Sequence, residues 1–251
     1  VVLGAGWIGI STEMAMMISF AIVAVWWIAA TIPLLKTYKQ KHYITRQSKA
    51  IQDSFKRLGI TLKNVRNEKK IFLFLLAFFF YIDGVYTIID MATAYGTALG
   101  LDSTGLLLAL LVTQLVAFPF AILFGRLSNR YDTEKMILIC IAAYFGIAVF
   151  AMFLKEQWQF WFLAILVGMF QGGIQALSRS YFTKIIPAEK TGEYFGLMDI
   201  CGKGASFLGT IVISLVSQFT GQVNIGVGAI SLFFILGMIV FKMSAAETGS
   251  M

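Results

Sequence analysis

Long continuous runs of apolar residues, separated by short polar breaks, dominate this chain. Seven such blocks can be marked at Met14–Leu35, Ile71–Tyr95, Thr104–Arg126, Met136–Leu154, Gln159–Arg179, Glu193–Gln218 and Asn224–Phe241. A helix rises about 1.5 Å per residue, so roughly 20 residues cross a hydrocarbon core of about 30 Å. Stretches such as IFLFLLAFFFYI and MILICIAAYFGIAVFAMFL lack the short alternating segments of a transmembrane barrel. The pattern predicts an all-α membrane protein with seven transmembrane helices.

Between the first and second blocks, a different periodicity takes over. Ile44, Ile51, Phe55, Leu58, Leu62 and Val65 fall on one face of a helix, flanked or opposed by Lys49, Lys56, Arg57, Lys63 and Arg66. This predicts an amphipathic helix docked on a lipid or protein surface, with Gly59 as a place where it divides into two. A basic amphipathic helix of this kind is also compatible with a calmodulin-type target.

Charge then sets the topology. The loop Lys36–Lys70 holds eleven of the 20 Lys and Arg residues, against Asp53 and Glu68 alone. Arg126, Arg130 and Lys135 follow the third block, and Arg179, Lys184 and Lys190 the fifth. The alternate loops, Gly96–Ser103, Lys155–Trp158 and Gln218–Val223, are almost uncharged. Basic residues concentrate in cytoplasmic loops, so the amino end lies outside and the carboxyl end inside. The net charge of +7 therefore reflects membrane topology and gives no reason to expect nucleic acid. An odd number of crossings that starts outside, with no initiator Met, reads as a piece of something larger.

Ionisable groups deep in a span cost several kcal/mol, about 2.5–3.5 on insertion scales, and so need a partner or a wet cavity. Asp83 lies about twelve residues, some 18 Å, from the cytoplasmic end of its helix. It can serve as a proton-carrying carboxylate, or structurally as a partner of Lys203 or a cap on a bend at Gly84. Asp90 follows seven residues later on the same face. In the sixth block Asp199 and Lys203 stand four apart in the order that favours an intrahelical ion pair. Lys203 is otherwise free to attract a substrate anion. Gln114 lies near mid-depth in the third block. Gln171, Gln175 and Arg179 make one polar stripe along the fifth, with Arg179 expected at headgroup level, where snorkelling is cheap. A wet pathway or hydrogen bonds between helices would each explain this stripe. Small residues at Gly168 and Gly172, Gly192 and Gly196, and Ala205 and Gly209 suggest that the fifth and sixth spans pack together.

Enzyme signatures are not found. His42 is the single histidine and lies in the basic loop; Cys140 and Cys201 lie within spans. The chain carries no phosphate-binding loop or metal-ligand motif, so no cofactor or metal is expected and energy would come from an ion or solute gradient.

The segment GRLSNRYDTEK, Gly125–Lys135, resembles the loop signature of the major facilitator superfamily, roughly G-x-L-[AS]-D-R-x-G-[RK]-[RK]. Gly125, Leu127, Ser128 and Arg130 match. Asn129 replaces the usual Asp, Asp132 the second Gly, and Thr133 and Glu134 the basic pair. Three more stretches resemble the vacuole-effluxer-like, autophagy-related branch of that superfamily. They are YIDGVYTIIDMATAYG (Tyr81–Gly96), QGGIQALSRSYFTKIIPAEKTGEYFGL (Gln171–Leu197) and the pattern of Trp26, Trp27 and Pro33.

The resemblance implies a division into residues 1–35, the last helix of an amino-terminal half; 36–70, a cytoplasmic central loop; 71–242, a six-helix carboxyl-terminal half; and 243–251, a cytoplasmic tail. It implies a secondary transporter that alternates access and exports a small polar, amino-acid-like solute, coupled to an ion or proton gradient. Its partners would be the missing amino-terminal half, membrane lipids, the solute and a proton. The pathway residues would be Asp83, Asp90, Gln114, Gln171, Gln175, Asp199 and Lys203, and the gating loop would use Gly125, Arg126, Asn129, Arg130 and Asp132. It would lie in a bacterial cytoplasmic membrane, or in a vacuolar membrane in a fungus. A seven-helix receptor and a lipid-handling or scaffold half-module are the competing readings.

Overall fold

The computed structural model describes residues 4–39 and 50–247, all helix and connecting turn, without a strand among them. Seven helical stretches among them are long and apolar enough to cross a membrane, one for each apolar block. His42, Ile44 and Lys49 lie outside the described residues, as do the side chains of Ile51, Phe55 and Arg57 and the last four tail residues.

The chain divides into two compact units, residues 1–51 and 52–251. In the first, α1 (Ala5–Ile8) ends at Gly9 in the left-handed region, φ 71°. The longer α2 (Thr12–Thr37) starts where the Ser11 hydroxyl accepts from the Met14 amide at 3.2 Å, satisfying one orphan donor of the first turn. Pro33 sits inside α2 without ending it.

The second unit holds nearly all of α3 (Ala50–Asn67), then α4 (Lys69–Ala98), α5 (Ser103–Leu127), α6 (Thr133–Ala151) and α7 (Gln157–Ile185). After a 3₁₀ turn at Ala188–Lys190 come α8 (Thr191–Gly204), α9 (Phe207–Thr220), α10 (Val223–Ala229) and α11 (Ser231–Ala246). Asp102 and Asp132 cap α5 and α6, accepting from Gly105 N at 2.7 Å and Glu134 N at 3.0 Å. Two predicted single spans are therefore interrupted, α8–α9 at Ala205–Ser206 and α10–α11 at Ile230.

Helix α4 is the hub. Phe74, Tyr81, Ile82, Val85 and Asp83 are fully buried along it. Phe74 stacks on Phe182 and meets Tyr181 and Phe241, which ties α4 to α7 and α11. Gly84 lets the ring of Phe234 lie against the α4 backbone, since a Cβ there would stand 2.7 Å from it. Lipid tails are as apolar as these side chains, so close packing and buried hydrogen bonds hold the bundle more than burial from water. Tyr81 and Ser178 share one such bond at 2.6 Å.

The small-residue pattern takes a different partner from the one expected. Gly168 and Gly172 press onto α5: a Cβ on Gly168 would meet the Thr113 carbonyl at 2.6 Å, and one on Gly172 would meet Ala121 at 2.8 Å. The fifth span thus packs its glycine face on the third, not the sixth. Gly192 and Gly196 face open space, and Gly209 packs against Thr87 of α4. Helices α7 and α8 meet instead through larger groups, including the edge-on rings of Phe182 and Phe195.

Helix α3 is also corrected in detail. It runs unbroken through Gly59. Its inward face is Leu58, Thr61 and Val65, while Leu62 is exposed. The Thr61 hydroxyl donates to Glu193 at 2.9 Å, and the Tyr194 hydroxyl donates to Glu68, at the α3–α4 joint, at 3.0 Å. The helix docks on the bundle beside the start of α8.

Candidate functional site

The three predicted pathway glutamines converge. Gln114 of α5 and Gln171 and Gln175 of α7 line one open cleft of about 290 Å³, together with Ala117, Phe118, Ala121 and Gly172. The close α5–α7 approach at Gly172 brings these helices together at the floor. Gln171 Oε1 is buried without a hydrogen-bond partner among the described residues, so it is an acceptor waiting for a donor. Gln114 and Gln171 also border a second, mainly apolar cavity of about 90 Å³, which runs toward Tyr95 and Phe160.

Asp83 does not pair with Lys203, and it does not cap a bend at Gly84. Its Oδ1 accepts from the Ser206 amide at 2.6 Å, the Gly209 amide at 3.2 Å and the Thr87 hydroxyl at 3.3 Å. Ser206 and Gly209 are the N-cap and third residues of α9. A side chain on one helix thereby satisfies both orphan donors that a capping box would satisfy within a single helix. Ser206 has φ 76°, the only positive φ among described non-glycine residues, and its own side chain makes no cap bond. A left-handed non-glycine residue costs roughly 1 kcal/mol or more, and the Asp83 cap helps offset it. Asp83 Oδ2 is buried without a partner among the described residues.

Asp199 also chooses another partner. It forms an ion pair with Arg179 of α7 at 2.9 Å, through a single contact from Nη2 to Oδ1, instead of the expected pair with Lys203. Arg179 stands six residues before the end of α7, next to Ser178, which bonds Tyr81 of α4. Tyr86 lies within electrostatic reach of Arg179, Asp199 and Asp90. Lys203 is exposed and makes no ion pair among the described residues, and Asp90 is exposed further along α4. The pairing of Arg179 with Asp199 is thus what spacing along one helix concealed.

The expected gating loop forms the α5–α6 turn. Ser128 Oγ donates to the Gly125 carbonyl at 2.8 Å, and Asp132 is spent on the α6 cap. Helix α7 clamps the start of α6: the Tyr181 hydroxyl donates to Glu134 at 2.7 Å, and Lys184 donates to Thr133 at 3.1 Å. Arg126, Asn129 and Arg130 are exposed, and none has an ion pair among the described residues.

Seven apolar helical spans define a multi-pass integral membrane protein, with glutamines around an open cleft and charged groups nearby. The chain belongs to the vacuole effluxer Atg22-like family, whose model matches residues 1–251. It is 44% identical over 243 residues to the "Uncharacterized MFS-type transporter YxiO" of Bacillus subtilis (strain 168), covering 97% of this chain and 57% of that protein. It is 24% identical over 254 residues to "Autophagy-related protein 22" of Kluyveromyces lactis, covering 92% of this chain and 52% of the relative. With "Autophagy-related protein 22-1" of Aspergillus clavatus the identity is 25% over 255 residues, covering 91% and 42%. The chain spans about half the length of the curated relatives it matches.

Proposed function

We propose that this chain is the carboxyl-terminal part of a secondary active transporter that exports a small polar, amino-acid-like solute by alternating access, driven by a proton or ion gradient. Residues 1–35 would be the last helix of an amino-terminal half, 36–70 the cytoplasmic connection, 71–242 the carboxyl-terminal half and 243–251 its tail. The observation that carries the reading is the cleft of Gln114, Gln171 and Gln175. It is open between α5 and α7, as expected where a second bundle would complete a midplane site. Three amides offer donors and acceptors without fixed charge, and the free Gln171 Oε1 gives a polar solute an unfilled acceptor.

Coupling in this reading runs through Asp83. A proton held at Oδ2 would weaken Oδ1 as the acceptor for the α9 amides and loosen the break between α8 and α9, while an ionised carboxylate holds it. Proton occupancy would then bias the sixth span between two shapes. The relatives named for transport and for the vacuolar effluxer family support the class; export of an amino-acid-like solute follows the resemblance to that family, and proton coupling is inferred from Asp83.

The test is counterflow. The intact transporter in proteoliposomes should exchange a labelled amino acid from a panel of amino acids, peptides and sugars, and Gln171→Leu with Gln175→Leu should lower the exchange at least tenfold. If no member of the panel exchanges, or if the double variant exchanges like the parent, the reading fails.

A further inference from the structure

We infer that Arg179 is the anchor for an oxyanion group of the solute, a carboxylate, and that Asp199 is the internal anion holding that anchor when no solute is present. This deepens the transport reading and rests on it. Three features of the pair carry the inference. First, it is half open, with the Arg179 and Asp199 side chains 58% and 45% exposed, so a ligand can reach it. Second, it is joined by one contact only, from Nη2 to Oδ1. A guanidinium presents five donors in a planar fork suited to two carboxylate oxygens, so the observed pair leaves most of that capacity unused. Third, Asp199 has another cation within reach. Lys203 stands one turn further along α8, exposed and without an ion pair among the described residues.

These features make an exchange device. An incoming carboxylate takes the Arg179 fork, Asp199 releases it, and Asp199 turns to Lys203 in the favourable acid-first spacing of four residues. Two cations then hold two anions, and neither carboxylate is left unpaired. Opening the resting pair is cheap, because a partly exposed ion pair is worth about 0–1 kcal/mol. Asp90 lies one turn beyond Tyr86 on α4 and would repel a second negative group on the solute. Gln175, one turn along α7, connects the anchor to the glutamine cleft. The device also links α7 to α8, so the solute would loosen a tie between two helices as it binds.

The test measures binding to the intact transporter in detergent by isothermal titration, with butyrate, its neutral isostere butyramide and inorganic phosphate as probes. Butyrate should bind at least tenfold tighter than butyramide. Asp199→Asn removes the internal competitor and should tighten butyrate binding about tenfold. Arg179→Gln should abolish the preference for butyrate over butyramide. Arg179→Lys, which keeps the charge and the fold but not the fork, should weaken butyrate binding about tenfold. If phosphate outcompetes butyrate with the same dependence on Arg179, the anchor stands and takes a phosphate in place of a carboxylate. A purely structural pair gives the opposite pattern: Asp199→Asn and Arg179→Gln weaken butyrate and butyramide alike, and that result overturns the inference. Counterflow that persists in Arg179→Gln with no preference for an anion would also overturn it while leaving the transport reading intact.

Discussion

Removing the Asp83 carboxylate should destabilise the protein by opening the break in the sixth span. In Asp83→Ala the amides of Ser206 and Gly209 lose their shared acceptor, at 2.6 and 3.2 Å, in a place where Asp83 itself is fully buried. Each buried donor left unsatisfied costs about 1–3 kcal/mol, so the pair costs about 2–6 kcal/mol. Asp83→Asn keeps an acceptor oxygen of the same shape but loses its charge, and charge-assisted bonds are about twice as strong as neutral ones, so its cost is about 1–2 kcal/mol. With roughly 2–4 °C per kcal/mol for a domain of this size, Asp83→Ala should melt about 4 °C or more below the parent and Asp83→Asn about half as far below. Intrinsic fluorescence during thermal unfolding in detergent, using the five tryptophans, reads both. The ordering is the diagnostic part. An alanine variant as stable as the parent, or an asparagine variant less stable than the alanine one, would refute the cap.

Three further outcomes follow from the packing. Gly172→Leu forces a side chain into Ala121 of α5 and should destabilise by about 1–3 kcal/mol or more, seen as a lower melting temperature and loss of monodisperse protein on a sizing column. Ser206→Gly relieves the left-handed backbone at φ 76° and should raise stability by about 0.5–1 kcal/mol, read in the same melt. Val65→Asp puts a charge on the inward face of α3 and should release that helix, raising amide hydrogen exchange across Leu58–Val65 several-fold while α4 stays protected.

The seven crossings could be read from sequence because apolar length and loop charge are properties of single segments. Each block came out within a few residues of an observed helix or helix pair. Partner choice was not legible in the same way. The i,i+4 rule sees only one helix, so it paired Asp199 with Lys203 and could not see Arg179 approaching from α7. The same blindness sent the Gly168–Gly172 face to the sixth span, although the residues it must nest against, Thr113 and Ala121, lie in the third. The break at Ser206 has no proline to announce it; what fixes it is a carboxylate 123 residues earlier in the chain. Pro33 and Pro119, the usual markers, lie inside unbroken helices. Gly59 likewise passes through α3 because Thr61 and Val65 tie that helix down on the far side. The glutamine stripe was visible as a spacing of four along α7, and only the fold added Gln114 opposite it.

The most direct measurement is aqueous accessibility of the cleft in the membrane. With Cys140 and Cys201 replaced by alanine, single cysteines at Gln114, Gln171 and Gln175 are exposed to a charged, membrane-impermeant thiol reagent, with Leu236, exposed in the middle of the last span, as a lipid-level control. Rapid labelling at the three cleft positions, slowed by the transported solute, is the result expected of a wet pathway. Labelling at those positions by a lipophilic reagent alone would contradict it.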